Sequence, residues 1–128
     1  MALSHIIATR ITRGGIAVVD TTYTQTADAA QEIDTTIPAS STNYPLAVGT
    51  IERAKVKSFA LWFSTDVTLK TNSTGSPAET WTLKANDVFV WNANHPIAIP
   101  FSADLTEIYI TNSTTATQAK LYFLMSTT

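Results

Sequence analysis

The chain contains no cysteine, so neither a disulfide framework nor a thiolate metal site can form. Histidine occurs twice, at His5 and His95, and no carboxylate lies beside either with metal-ligand spacing. Four glycines, two of them adjacent at Gly14 and Gly15, cannot make a phosphate-cradling loop. No G-x-S-x-G turn or other setting for an activated serine is present. No apolar run reaches the length of a membrane span, and no basic segment followed by an apolar stretch marks a secretion signal. Synthesis in the cytoplasm of the producing cell is the expectation. Charge is scarce as well: 14% of residues are Asp, Glu, Lys or Arg, against about 25% in ordinary domains.

What remains is Thr, Ser, Asn, Ala and a 45% hydrophobic fraction, which is not the composition of a disordered chain. At 128 residues it fits a single domain spanning 1–128, large enough to build one core. A weakly charged exterior loses little hydration when it meets a partner. With a formal net charge of −2, no overall positive field draws nucleic acid. The charges are nevertheless blocked. Arg10 and Arg13 stand alone at the start. Asp20, Asp28, Glu32 and Asp34 follow without a base. Arg53, Lys55, Lys57 and Lys70 then outnumber Glu52 and Asp66.

Period-two alternation dominates the hydrophobic pattern and predicts strands. Val67, Leu69 and Thr71 share one face of a short run, and Trp81 and Leu83 share one face of the next. Val88–Trp91 is apolar on both faces, and Leu105–Ile110 closes the series. Turn formers separate these runs at Asn72–Pro77, Ala85–Asp87 and Asn92–Pro96. Both sequons, Asn72–Ser73–Thr74 and Asn112–Ser113–Thr114, read as turn chemistry. Glu52–Ser64 and Gln118–Ser126 are apolar on both faces; the first is a central strand or one covered by a partner subunit, and the second belongs at the centre of a sheet. Ile33, Thr35 and Ile37 point inward on a strand that Pro38 ends. Ile97–Ile99, flanked by Pro96 and Pro100, reads as an edge strand, and residues 24–31 read as a loop. No helix of core-facing length is visible. The expectation is an all-β fold: a two-sheet antiparallel β-sandwich with jelly-roll or Greek-key topology. Residues 1–13 form either a first strand or an extended N-terminal arm, with Gly14–Gly15 as turn or hinge, and Ile16–Tyr23 is the next strand.

Candidate chemistry is thin. Asp28, Glu32 and Asp34 are close enough to suggest calcium, but they lack the Asp/Asn ladder and glycine of an EF-hand loop and read as a solvated face. Trp62, Trp81 and Trp91 are candidate stacking residues for a carbohydrate- or receptor-binding module, though each lies inside an apolar strand. No cofactor is implied. The long turn-rich stretch Pro38–Gly49 carries Tyr44 and Leu46, which either fold back onto the core or make contacts with another chain.

The phrasing Thr68-Leu69-Lys70-Thr71-Asn72, then Trp81–Asp87, Trp91 and Asp104–Asn112, ending in an apolar strand, resembles small tailed-bacteriophage virion proteins of the head-decoration, or cement, type. The resemblance covers residues 66–126. It implies a non-enzymatic β-sandwich that oligomerises as a dimer or trimer on the virion surface. Such a protein clamps neighbouring subunits of the major capsid protein, and contacts neither nucleic acid nor membrane directly. On that reading Ile6, Ile7, Arg10, Tyr44 and Leu46 are the candidate inter-subunit contacts.

Overall fold

A computed structural model describes residues 2–127 and contains two four-stranded antiparallel sheets packed face to face, with a separate two-stranded hairpin. The hairpin comprises β1 (Leu3–Arg13) and β2 (Ile16–Ala27). The first sheet has the order β3–β10–β5–β8, with β3 at Ala29–Ile37, β5 at Val56–Phe63, β8 at Phe89–Asn92 and β10 at Thr117–Met125. The second has the order β4–β9–β6–β7, with β4 at Tyr44–Leu46, β6 at Val67–Thr71, β7 at Thr80–Leu83 and β9 at Ile108–Thr111. The pairs β3·β10, β4·β9, β5·β8 and β6·β7 are nested, as though one long hairpin had been rolled over on itself. The all-β sandwich expected from the alternation is therefore present.

Alternation explains which face each strand buries. On β5, Phe59, Leu61 and Phe63 are almost completely buried, as are Leu121 and Phe123 on β10 and Leu69 and Ile110 from the facing sheet. Phe59 stands at the centre, touching the rings of Phe89, Trp91, Phe101 and Phe123. Hiding each such side chain contributes about 1.5–3 kcal/mol. Both strands expected at sheet centres, β5 and β10, have partners on each side.

The loops are held by short polar side chains. Asn72 adopts φ 67°, a left-handed conformation that Asn tolerates. Its side chain accepts from the Thr106 amide and donates to the Asp104 carbonyl, both at 2.8 Å. Asn112 accepts from the Ser41 amide and donates to the Pro38 carbonyl and the Thr117 hydroxyl. Both sequon asparagines thus do turn chemistry.

Two expectations need correction. Residues 24–31 are not a loop: β2 runs through Ala27 and β3 starts at Ala29, with only Asp28 between them. Their Thr, Gln and Ala content hides a period-two pattern, because half-burial against a neighbouring strand needs no large apolar side chain. Ile97–Ile99 forms no strand; the Ile97 carbonyl instead accepts from the Trp91 indole N–H at 2.9 Å. Within the Pro38–Gly49 stretch, β4 pairs with β9 at the sheet edge and turns Leu46 into the core, the first of the two alternatives left open for it.

Candidate functional site, a half-bare β-hairpin

Gly14 and Gly15 close the hairpin with φ +59° and +81°. Arg13 pairs with Ile16 across them, so this is a two-residue turn with both central residues left-handed. That geometry matches the right-handed twist of the flanking strands, and glycine adopts it without strain. Leu3–Arg13 are accordingly a strand and an arm at once; Met1 lies outside the described residues.

The register places Leu3, His5, Ile7, Thr9, Ile11 and Arg13 of β1 on one face, together with Ala27, Gln25, Tyr23, Thr21, Val19 and Ile16 of β2. A bulge near Ile11 and Thr12 leaves Val18 without a partner opposite it. The reverse face carries Ser4, Ile6, Ala8, Arg10 and Thr12 against Thr26, Thr24, Thr22, Asp20 and Ala17. The first face is the more apolar, and it changes surroundings along its length. At the base Leu3, His5, Ile7, Tyr23, Gln25 and Ala27 are half-buried. Beyond them every residue from 8 to 22 is exposed. Ile11 is 52% exposed, Ile16 70%, Val18 51% and Val19 39%.

The base rests on the outer face of the β3–β10–β5–β8 sheet. There Ser58 and Leu124 are cross-strand partners, both buried although they point away from the central core. His5 Nδ1 lies 2.5 Å from the Ser58 hydroxyl. Further along that face come Ala60 beside Tyr122, then Trp62 beside Lys120, whose ammonium lies 5.9 Å from the Trp62 ring centroid. Glu32 and Asp34 are exposed on β3 of the same face. An open groove of about 770 Å³ runs along the free edge of β1. Ile6–Arg10 form one side, Ala60, Val88 and Val90 lie across from them, and Asp87 and His95 also line it.

Asp28 anchors the root of the hairpin. Its carboxylate accepts from the Thr127 amide at 2.8 Å and the Thr127 hydroxyl at 2.6 Å, which holds its pKa below the usual carboxylate value. Burial of His5 pushes its pKa below 6.5, and the nearby Glu32 carboxylate opposes that shift. The neutral imidazole therefore favours the seated hairpin. This stabilisation is present above pH 6.5 and is lost as pH falls through the lowered value. Melting temperature is expected to fall between pH 7 and pH 5 in the native chain and to fall less in His5→Gln, as differential scanning fluorimetry would record. Loss from Asp28 and Asp66, both lowered from 3.8, belongs to a more acidic window.

Of the candidate contact residues, Ile6 is 68% exposed and Arg10 is exposed opposite Asp20. Ile7 is half-buried toward the body. Tyr44 is half-buried and packs on the core, and Leu46 is 5% exposed within it. Leu46 is thus a core residue and not a contact anchor, because β4 turns it inward against β9. The candidate stacking residues do not share a surface. Trp91 is buried beside Phe59, Trp81 packs against Phe89 facing the core, and Trp62 lies on the opposite side of its sheet. Asp28 is tied to Thr127, so the acidic residues are not gathered, and among the described residues no three His, Asp or Glu side chains form a metal-binding group. What the periodicity could not show was how far the arm leaves the body. The Gly14–Gly15 pair between two alternating runs was the signal for a hairpin.

Compared with family models, curated proteins and solved structures, the chain matches none.

Proposed function

We propose that the chain is a non-enzymatic structural protein of a phage virion, a head-decoration protein that binds the outer face of an assembled shell and clamps neighbouring major capsid subunits. The single observation that carries this reading is the hairpin. A two-stranded ribbon is marginally stable in water by itself, yet residues 8–22 extend into solvent with Ile and Val uncovered. A ribbon of this kind makes physical sense when other chains cover it. The nested strand order supports reading the body as a jelly roll, an architecture that viral capsid domains use. The scarcity of charge and the resemblance over residues 66–126 point the same way.

In this role the body supplies stiffness and the arm supplies contact. Apolar burial contributes about 25 cal/mol per Å² of covered surface, and repetition over one particle multiplies individually weak contacts. Purified protein added to undecorated heads is expected to raise their rupture temperature, read by release of packaged DNA to an intercalating dye. Heads that rupture at the same temperature with and without the protein would contradict the proposal.

A further inference from the structure

We infer that two copies of the chain pair through the free edges of β1, each laying the bare half of its hairpin into the groove beside the other's β1. The inference rests on the reading of the chain as an assembly protein, and it names the partner of the hairpin. Three features lead to it.

The first is the free edge. β1 pairs with β2 on one side and with no other strand among the described residues, so its outer N–H and C=O groups are open to another strand. An antiparallel edge is its own complement under a two-fold axis, because each strand then offers the other the same row of donors and acceptors. The two hairpins would form one sheet in the order β2–β1–β1–β2.

The second is length. In each copy Leu3–Ile7 rest on the body, and Ala8–Arg13 reach beyond it for a similar distance. With the axis near Ala8 and Thr9, antiparallel pairing carries the tip of one hairpin back over the seated base of the other. The groove runs beside Ile6–Arg10, so it receives residues 7–11 of the incoming strand. A two-fold axis perpendicular to the joint sheet keeps both apolar faces on the same side. Ile11 of one copy is then laid beside Ile6 of its partner, at the Val90 end of the groove. Val88, itself 50% exposed, is covered in the same step.

The third is area. Fifteen bare hairpin residues together with the groove approach the roughly 20–30 residues per side that a stable interface uses.

The test exploits the absence of cysteine. Single variants Ala8→Cys and Thr22→Cys place one thiol near the proposed axis or one on β2, with both sites exposed and directly opposite each other in the hairpin. Light scattering on the native chain is expected to give twice the 13.8 kDa chain mass. Mild oxidation is expected to cross-link the Ala8→Cys chain into dimers and to leave Thr22→Cys largely uncross-linked. A monomer, a trimer, or equal cross-linking from both sites would overturn the inference, as would failure of Ala8→Cys to cross-link while the native chain is dimeric. The two proposals fail separately. A two-fold dimer that leaves head rupture unchanged removes the shell role alone, and a monomer that still raises it removes the β1 pairing alone.

Discussion

A chain carrying Ile11→Asp and Val19→Asp is expected to fold as the native chain does and to lose self-association. Both residues are opposite one another on the bare part of the hairpin, and neither contributes to the central core. Their side chains already face water, so the folded body loses little. The associated state loses much more. Ile11 is 52% exposed and Val19 39%, so covering them hides about half of each side chain, roughly 1 kcal/mol apiece. Counted in both arms of a two-fold dimer, this comes to about 4 kcal/mol, or about a thousandfold in affinity. The dehydration of the new carboxylates adds to the loss. Sedimentation velocity reads the result directly: a species at monomer mass with an unchanged β-sheet circular dichroism spectrum. Heads mixed with the variant should rupture as undecorated heads do, because a monomeric clamp also forfeits multivalency.

The largest expected effect on stability comes from Phe59→Ala. Phe59 is 1% exposed and contacts four other aromatic rings contributed by β8, β10 and the segment between β8 and β9. Removing its ring leaves a cavity that rigid strands cannot close, a loss of about 3–5 kcal/mol. Against a total stability of about 5–15 kcal/mol, the melting temperature should drop by on the order of 10–20 °C. Trp62→Ala offers the contrast. Trp62 lies on the outer face of the same strand, half-covered beneath Lys120, and the central aromatic cluster does not include it. Its loss should move the melting temperature by only a small fraction of that amount. Equal effects of the two substitutions would mean that the inward and outward faces of β5 are wrongly assigned.

The two-sheet body was legible in the sequence because the core-facing residues of its strands recur at period two. Phe59, Leu61 and Phe63 recur at period two on a strand that is apolar on both faces, Val67 and Leu69 alternate with polar neighbours, and the structure buries all five. The hairpin was only half legible. The side-chain alternation of β1 was readable, and Gly14–Gly15 marked its turn. Its separation from the body was not readable, since a strand that extends into solvent obeys the same period as one that lies on a core. Residues 24–31 escaped notice because Thr, Gln and Ala carry almost no hydrophobic contrast, while β-sheet pairing depends on backbone groups that every residue has. Tyr44 and Leu46 were ambiguous for a related reason. A short edge strand inside a turn-rich segment has too few residues to show a period, and only its pairing with β9 reveals that Leu46 points inward. The three tryptophans illustrate the limit of composition: each has a stacking surface in principle, but register on the sheets decides that Trp81 and Trp91 face the core and Trp62 does not.

Hydrogen–deuterium exchange followed over a concentration series tests most directly whether the hairpin is built to be covered. The amides of β5 and β10 should exchange slowly at every concentration, because two sheet neighbours and the core protect them. Those of residues 8–13 should exchange quickly in dilute chain and slow markedly as copies associate or shells are added. Exchange in that segment that stays equally fast in dilute, concentrated and shell-bound protein would show that no other chain covers the hairpin, and would contradict the account.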